Sequence, residues 1–430
     1  MTGALLLALQ VVAAAPAPAD TLPTVTLAEA LERSTRLDPD YVAALGQVDN
    51  AEWGRRNAIL AFVIPALSLS TSYTESSSPA FNFGTGGFSR QFVQASAQAD
   101  YEVFAGGRRI FELQRARADV EGARASELEA RFLTALATER AYYDVLGGRE
   151  LLATARERIR RAEEQLTTAR ARVLSGAAVQ TDSLTLLLEL QRSRVDELQQ
   201  EAALDVARLE LGRRIGMPGP VDAVPLADVP PRLPITLEEA VAMALEQGPQ
   251  YRVARANERA AAAELRAERS AYLPQVVISG QMNAYDTRFW PDAANRSQFT
   301  IGATLPIWDL GRRELAISQA RVRRDVNRAI RADLELAARR DVAQSYRTFE
   351  VAVAAAAVAR DAVVVGRENY RVQDARYRAG ASTILDLLEA QVSLSTAESG
   401  LVQARYAALL ARAGLEVIVG RRLSTGQDSP

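Results

Sequence analysis

The stretch FVQASAQADYEVFAGGRR, residues 92–109, changes its periodicity at a pair of glycines. From Val93 to Val103, apolar and polar residues alternate, as they do in a β-strand with one apolar and one polar face. After Gly107 the apolar spacing becomes helical, and no proline occurs between Pro79 and Pro218. Since proline interrupts helices, this stretch predicts a strand that leads directly into a long helix.

This transition occurs twice, because the chain is a tandem repeat. TLAEALERSTRLDPDY, residues 26–41, recurs as TLEEAVAMALEQGPQY, residues 236–251, and FAGGRR, ending at Arg109, recurs as WDLGRR, ending at Arg313. We therefore expect a first repeat at 20–216 with a β-hairpin at 65–104, and a second at 236–420 with a hairpin at 274–308. A proline-rich linker, 217–235, joins them, and residues 421–430 form a flexible tail.

The composition excludes most chemistry. The 430 residues include no histidine, cysteine or lysine, so imidazole and thiolate ligands, thiol nucleophiles and lysine-based catalysis are absent. We expect no catalytic residue, no metal site and no cofactor. A formal net charge of -2 argues against nucleic acid as a partner, because phosphate binding needs an excess of basic residues. Transport, structural and interaction proteins remain.

The amino terminus predicts export. Residues 1–19 contain an apolar run followed by small residues and prolines, which is typical of a signal peptide. A disordered apolar leader is the alternative. No later stretch reaches the roughly 18 apolar residues that a membrane-spanning helix requires.

Helical periodicity and the positions of proline predict three long helical segments in each repeat. They are expected at 39–63, 108–174 and 180–212 in the first repeat and at 249–272, 312–379 and 383–414 in the second. At 1.5 Å per residue, the longest would extend about 100 Å. Gly147 and Gly148 predict a flexible or curved point within the first long helix.

Four strands of about 10 to 13 residues are predicted between these helices. Alternation in one strand fits a half-buried sheet of a soluble protein, but four strands of this length in an exported chain favour outer-membrane strands. The tips SSSPAFNFGTGGFSR, residues 76–90, and DTRFWPDAANRS, residues 286–297, are predicted to be external loops. The GTGG within the first tip also matches a phosphate-binding loop, but no helix start follows it.

Four strands cannot close a barrel, and open sheet edges are not tolerated in lipid. Two copies would give eight strands and a filled interior, whereas three would give twelve strands and a water-filled lumen. We therefore expect a homotrimer in contact with outer-membrane lipid. The predicted fold class is an α+β membrane protein, with long antiparallel coiled helices and four β-strands in each protomer.

The repeated order of helix, hairpin and two helices resembles the TolC-like outer-membrane efflux protein family. Pro65 and Pro274 at the strand entrances and YRAGASTILDLLEAQ, residues 377–391, strengthen the resemblance. It implies a trimeric 12-stranded barrel, continuous with an α-helical periplasmic tunnel, in the outer membrane of a Gram-negative bacterium. The implied function is the passive exit duct of a tripartite efflux pump or a type I secretion system, with a periplasmic adaptor and an inner-membrane transporter as partners. A soluble periplasmic helical scaffold is the alternative.

The resemblance also implies roles for residues around the two helix turns. Gly176 and Gly380 would reverse the chain at the periplasmic tip, where Ala177 and Ala381 would help to dock the adaptor. Two acidic residues on one helix face, Asp386 and Glu389, would form the pore constriction, with six carboxylates in a trimer.

A gate of Tyr377, Asp182 and Thr181 is the last implied feature. Family members link this tyrosine to this aspartate across the closed tip. Some members have an arginine where this chain has Ser382. The resemblance therefore implies a more weakly held tip, unless Arg376 or Arg378 takes the place of that arginine.

Overall fold

The computed structural model describes residues 22–82, 86–225, 232–286 and 294–423. The predicted signal peptide, 1–19, lies outside the described residues, as do parts of both hairpin tips, part of the linker and residues 424–430 of the tail. Contacts divide the chain into two units. The first comprises the described residues of Met1–Leu37, Ala137–Val229 and Ala352–Leu410, and the second those of Asp38–Leu136, Pro230–Val351 and Ala411–Pro430.

The two repeats have the same order of secondary structure. The described helices are α1 (Leu27–Leu37), α2 (Pro39–Leu60), α3 (Arg108–Leu174), α4 (Gln180–Arg214), α5 (Leu237–Gln247), α6 (Pro249–Arg269), α7 (Arg312–Arg378) and α8 (Ile384–Val419). The described strands are β1 (Thr24–Val25), β2 (Ala66–Asn82), β3 (Gly87–Ala105), β4 (Asp222–Ala223), β5 (Gln275–Asp286) and β6 (Ala294–Thr304). Within the described ranges, none of these helices combines the length and apolarity needed to cross a membrane.

The repeated motif at the start of each repeat folds as a short helix followed by a longer one. Asp38 separates α1 from α2, because Pro39 keeps its preceding residue in an extended conformation. The Asp38 carboxylate then caps α2 by accepting hydrogen bonds from the amides of Asp40 at 3.0 Å and Tyr41 at 3.2 Å. The sequence reasoning did not identify α1 or α5 as separate helices.

The four long strands form an antiparallel sheet in the order β2-β3-β5-β6. Its register places the apolar positions on one face: Leu69 pairs with Ala97, which pairs with Met282. The polar face has Ser70 paired with Ser96. The predicted alternation therefore continues in register across the sheet. β2 and β6 each have one neighbour in this sheet, so each leaves an outer edge unpaired within the described protomer.

The two strands of the first hairpin are longer than the sequence pattern predicted, although the hairpin as a whole lies where it was expected. β2 continues to Asn82 and β3 begins at Gly87, so most of the expected external loop at 76–90 belongs to the strands. A register shift between Glu75 and Ala80 lets pairing resume beyond the serines. Pro79 is tolerated because β2 is an edge strand, which has no partner for one row of amides.

In the first unit, a buried core surrounds the parallel pair of β1 and β4. Tyr142 on α3 donates hydrogen bonds to the carbonyl oxygens of Val25 at 3.2 Å and Val224 at 2.6 Å. Val221 and Ala223 are buried in the same core. The first part of the predicted linker is therefore packed against helices.

The second unit repeats this arrangement with the second repeat. Tyr346 on α7 donates to the carbonyl oxygen of Ile235 at 3.3 Å, as Tyr142 does to Val25 in the first unit. Leu415 and Val419 of α8 are buried against Ala240 of α5. Equivalent residues of the two repeats thus make equivalent contacts, each within its own unit.

Gly147 and Gly148 allow close helix packing within an unbroken α3. A Cβ atom at Gly147 would lie 3.3 Å from the ring of Tyr406, and one at Gly148 would lie 3.3 Å from the side chain of Leu204. The structure therefore assigns these glycines to close contact with neighbouring helices. The helix does not end at these glycines, and the flexible or curved point stays a prediction, because glycine in a helix can serve packing as well as flexibility.

Candidate functional site

The polar face of the sheet carries a hydrogen-bonded network. The carboxylate of Asp100 accepts hydrogen bonds from Gln98 Nε2 and Ser279 Oγ, each at 2.7 Å. On a neighbouring part of the face, Asn283 Oδ1 accepts from Gln94 Nε2 at 3.4 Å and from Gln281 Nε2 at 3.2 Å. Because strand register holds these groups together, this face can present a continuous polar surface to water.

Charged residues surround the exit of β3. Glu102 forms ion pairs with Arg108 at 2.8 Å and with Arg109 at 3.4 Å, and the guanidinium of Arg109 lies 5.1 Å from the centre of the Tyr101 ring. The repeated arginines therefore anchor the start of α3 to the end of the strand. The corresponding Arg313 of the second repeat pairs with Asp309 at 3.2 Å.

The helices α3 and α7 end in the same left-handed turn. Gly176 has a φ of 74° and Gly380 a φ of 76°, a region that favours glycine. In each turn the amide of the next residue, Ala177 or Ala381, donates to the carbonyl oxygen of an arginine in the last helical turn at 2.8 Å. This is the Schellman arrangement. All four turn residues are exposed, so they are accessible for docking in the single protomer.

Asp386 lies at the start of α8, where it completes a helix cap with Thr383. Asp386 Oδ2 accepts hydrogen bonds from Thr383 N at 2.9 Å and from Thr383 Oγ1 at 2.8 Å, and Thr383 Oγ1 accepts from Asp386 N at 3.3 Å. These bonds hold the pKa of Asp386 below its usual value, and the charge of Arg376 acts in the same direction. Asp386 therefore has a structural partner in addition to its predicted place in the pore.

Glu389 is exposed one turn further along α8, on the same side of the helix as Asp386. Leu387 follows Asp386 and Ala390 follows Glu389 in sequence, and both are buried, which fixes the outward direction of the two acids. Within the described part of the chain, Glu389 forms no hydrogen bond or ion pair. The structure thus places the two predicted constriction residues together on an exposed face.

The predicted gate residues are only partly brought together. Tyr377 is 2% exposed, and its hydroxyl has no hydrogen-bond partner among the described residues. Burial raises the pKa of Tyr377, and the nearby carboxylate of Asp182 raises it further. No hydrogen bond joins Asp182 to the hydroxyl of Tyr377. Thr181 is exposed, and its carbonyl accepts a hydrogen bond from Thr185 Oγ1 at 2.9 Å.

The suggested replacements for the missing arginine bond within their own repeat. Arg376 donates to the carbonyl of Ala381 at 3.3 Å, and Arg378 pairs with Asp374 at 2.9 Å. Ser382 donates to the carbonyl oxygen of Gln373 at 3.5 Å.

Arg172 is the residue at this site that sequence reasoning missed. It donates hydrogen bonds to the carbonyl oxygens of Tyr377 and Ala177, the latter at 3.2 Å, and its guanidinium lies 4.8 Å from the centre of the Tyr377 ring. Its position relative to Gly176 matches that of Arg376 relative to Gly380, so the internal repeat marks both arginines. The repeat does not show which of them reaches across to the other repeat.

The chemistry of these regions suits a passive surface. Among the described residues, no group of acidic side chains has the arrangement of a metal site. The sheet offers polar side chains that can line a path, and the region of the turns offers two exposed carboxylates on α8 and a buried aromatic ring at the end of α7. Such groups can select by charge and control access.

Comparisons with known proteins agree on one family. The sequence model of the outer membrane efflux protein family matches residues 25–217 and again 240–421. The pyoverdine export outer membrane protein OpmQ of Pseudomonas aeruginosa is 28% identical over 339 residues, covering 76% of this chain and 69% of that protein. The probable efflux pump outer membrane protein TtgC of Pseudomonas putida is 24% identical over 374 residues, covering 83% of this chain and 75% of that protein.

Solved structures show the same fold. The outer membrane protein VceC of Vibrio cholerae has a TM-score of 0.78 at 16% identity, covering 93% of this chain and 97% of that chain. The open state of the MtrE outer membrane channel of Neisseria gonorrhoeae has a TM-score of 0.74 at 20% identity, covering 92% of this chain and 89% of that chain. The predicted α+β fold class is therefore confirmed, and its barrel closes only when protomers assemble.

Members of the matched family are trimers that work with adaptor proteins and inner-membrane transporters, and they are transport ducts. Their location in the outer membrane of Gram-negative bacteria, with a periplasmic helical extension, agrees with the location predicted from the sequence. Since the family model covers most of both repeats, this chain belongs to the outer membrane efflux protein family.

Proposed function

We propose that three copies of this chain form the passive exit duct of a tripartite pump that expels small toxic molecules. The observation that carries the proposal is the four-stranded sheet, which has one apolar face, one hydrogen-bonded polar face and two unpaired edges. Lipid would cover the apolar face and water the polar one. The names of the relatives favour export of small molecules over type I secretion. The soluble scaffold is set aside because the family belongs to the outer membrane.

Joining the edges explains why the homotrimer is part of this proposal. β2 of one copy would pair with β6 of the next, so a ring of three would satisfy every strand. The exposed apolar residues of the sheet, among them Leu69 at 83% and Phe299 at 69%, would then contact lipid.

Two helices in the first unit also carry apolar stripes suited to a neighbouring copy. On α4 the stripe consists of Leu188, Val195 seven residues later and Leu209 fourteen residues after that, each at least half exposed. On α7, Val358 and Val365 are likewise seven residues apart and are 68% and 69% exposed. Because α4 runs away from its turn glycine and α7 runs towards its own, the two stripes could pair as an antiparallel coiled coil between copies.

Val365→Glu is expected to prevent trimer formation. It would place a carboxylate in the apolar seam, at a cost of about 3 kcal/mol or more for each interface. The measurement is the amount of heat-labile trimer extracted from the outer membrane. Arg360→Glu is the matched control, since it adds a carboxylate on the same helix about 140° away. Equal trimer yields in both variants would exclude this seam.

At the turns, we propose that Asp386 and Glu389 form the constriction and that Tyr377, with Asp182 and Thr181, forms the gate. Their support is the resemblance, the shared exposed face of the two acids and the effect of the Asp182 charge, which raises the pKa of Tyr377. We also propose that the exposed turns at Gly176 and Gly380, with Ala177 and Ala381, dock a periplasmic adaptor that connects to an inner-membrane transporter.

A cysteine at Ala381 should cross-link to the adaptor in cells. The chain contains no native cysteine, so the introduced thiol is unique and the cross-linked product reports that position alone. A cysteine at the exposed position Arg360 serves as the comparison on α7. Strong cross-linking from position 381 and little from 360 is expected, and mass spectrometry then identifies the partner. The reverse result would place docking elsewhere.

The duct itself is tested with the purified trimer in planar lipid bilayers. We expect ion conductance without added nucleotide, because the energy for transport comes from the inner-membrane partner. In cells, deletion of the gene should increase the accumulation of a lipophilic cationic dye, and the wild-type gene should reverse this. A trimer that inserts but does not conduct, together with unchanged dye accumulation, would overturn the proposal.

A further inference from the structure

Arg172 occupies a position from which it contacts both helix turns of the protomer. It lies in the last turn of α3, where its own carbonyl accepts a hydrogen bond from the amide of Ala177 at 2.8 Å. Its side chain donates to the carbonyl of Ala177 at 3.2 Å and also to the carbonyl of Tyr377. One guanidinium therefore joins the turn of the first repeat to the last helical turn of α7.

The same guanidinium packs on the ring of Tyr377. The distance from its central carbon to the ring centre is 4.8 Å, within the range of a cation–π contact. Tyr377 is 2% exposed, so this contact is shielded from water. The hydroxyl of Tyr377 contributes no hydrogen bond to any described residue. What holds Tyr377 in this protomer is thus its ring and its carbonyl.

Gly380 leaves room for this contact and also makes the turn. A Cβ atom at Gly380 would lie 3.3 Å from Nη2 of Arg172, closer than side chains normally pack. At Gly176, whose φ is nearly the same, a Cβ atom would meet no described atom within 4 Å. The space beside the second turn is therefore filled by Arg172, while the space beside the first is open.

The internal repeat supplies a comparison for Arg172 within the same protein. Arg376 occupies the equivalent position before Gly380 and donates to the carbonyl of Ala381 at 3.3 Å. The first repeat has Val173 where the second has Tyr377, so Arg376 has no equivalent ring to pack on. Both arginines cap a helix end, and Arg172 also reaches the other repeat.

We propose that Arg172 is the positioning residue that fixes Tyr377 and ties the two turns together, so that the closed tip depends on a guanidinium, a ring and a main-chain carbonyl. The tyrosine hydroxyl is not required for this tie. The inference rests on the proposed duct function, because a closed tip has meaning only in a channel.

Single-channel recording in planar bilayers tests the proposal with three variants. Arg172→Gln removes the cation and the double contact, and we expect a shift of roughly tenfold in the ratio of closed to open channels towards open. Tyr377→Phe keeps the ring and the carbonyl, so its ratio should equal that of the wild type. Arg376→Gln removes the cap of the second turn and a positive charge near Asp386, but no contact between the two turns, so its ratio of closed to open channels should also match the wild type.

Each other outcome overturns the inference. If Tyr377→Phe opens the channel as much as Arg172→Gln does, the hydroxyl holds the tip. If Arg376→Gln opens the channel to the same extent, capping of a helix end is sufficient to explain the effect of Arg172→Gln. An unchanged ratio of closed to open channels in Arg172→Gln shows that the contact of Arg172 with Tyr377 does not stabilise the closed tip. Should Arg172→Gln fail to assemble, Arg172→Lys keeps the charge but lacks the planar group that reaches two carbonyls, and partial opening is expected from it.

Hydrogen exchange of the turn amides separates this inference from the proposed function. Faster exchange at Gly380 and Ala381 in Arg172→Gln, with wild-type exchange in Tyr377→Phe, is expected whether or not the trimer conducts. A wild-type trimer without conductance would refute the proposed duct function, and hydrogen exchange alone would then test whether Arg172 joins the two turns. Unchanged exchange in an Arg172→Gln trimer that conducts would refute the role of Arg172 in joining the two turns, without affecting the proposed duct function.

Discussion

Gly212→Ala is expected to destabilise the first unit by about 3 kcal/mol, at the upper end of the range for overpacked sites. Gly212 lies near the end of α4 and is buried. A Cβ atom built there would lie 2.1 Å from the carbonyl oxygen of Gly219 and 3.2 Å from that of Met217. Main-chain atoms cannot move aside as a flexible side chain can, so the backbone after the helix would have to shift.

That backbone shift would reach the core of the unit. The chain turns at Gly216, which has a φ of 71°, and the amide of Met217 donates to the carbonyl of Gly212 at 2.8 Å. The residues that follow include Val221 and Ala223, which are buried beside β1. Moving Gly219 would therefore disturb the pairing of β4 with β1 as well as the local turn.

Thermal unfolding of the detergent-purified protein, followed by circular dichroism, measures this effect. We expect a midpoint lowered by about 5 °C for Gly212→Ala. Gly400→Ala is the matched control in the same unit, because Gly400 also lies within a helix but a Cβ atom there would meet nothing within 4 Å. That change should stabilise α8 by about 0.5–1 kcal/mol through helix propensity. Similar midpoints for the two variants would contradict the packing argument.

Local patterns were sufficient to predict the order of the long helices and of the four long strands. Alternation in the strands and helical spacing after Gly107 depend on neighbouring residues only, and α3 has the bounds that the pattern predicted. The repeat then predicted the second half from the first. The extension of β2 through Pro79 was not predicted, and it is possible because a strand with one free edge tolerates a proline that an inner strand excludes.

Contacts between distant residues could not be predicted in this way. Tyr142 bonds to Val25, which is 117 residues away, and no local pattern marks this pair. Gly147, Gly148 and Gly212 look alike in sequence, yet their roles depend on which atoms of other segments lie beside them. At the candidate site, the glycine turns could be predicted because φ is a local property. The contact of Arg172 with Tyr377 joins distant residues and could not be predicted. The cap of Thr383 and Asp386 was visible as a threonine three residues before an acid, but it was missed.

Replacing both proposed constriction acids, as Asp386→Asn with Glu389→Gln, is expected to raise single-channel conductance and to weaken block by multivalent cations about tenfold. In a trimer, three copies of each acid would face one narrow opening, where the low dielectric of the surrounding protein strengthens their attraction for cations. The measurement is the concentration of a trivalent cation that halves the current in planar bilayers. Asp361→Asn, an exposed acid on α7, is the control and should leave the block unchanged.

The single variants separate the constriction from the helix cap. Glu389→Gln removes a charge that has no partner in the described protomer, so any loss of block must come from the pore. Asp386→Asn removes the charge but keeps an oxygen for the hydrogen bond from Thr383, whereas Asp386→Ala also loses the cap, at a cost of about 1 kcal/mol to α8.

The dependence of the block on pH supplies the last discrimination between these roles. Thr383 and Arg376 hold the pKa of Asp386 low, so its negative charge persists under mild acid and is lost only as the pH falls through that lowered pKa. The Glu389→Gln channel should therefore keep a residual cation block down to about pH 4, near the usual pKa of aspartate. The absence of any residual block at pH 7 in the Glu389→Gln channel would show that Asp386 serves the cap and not the pore.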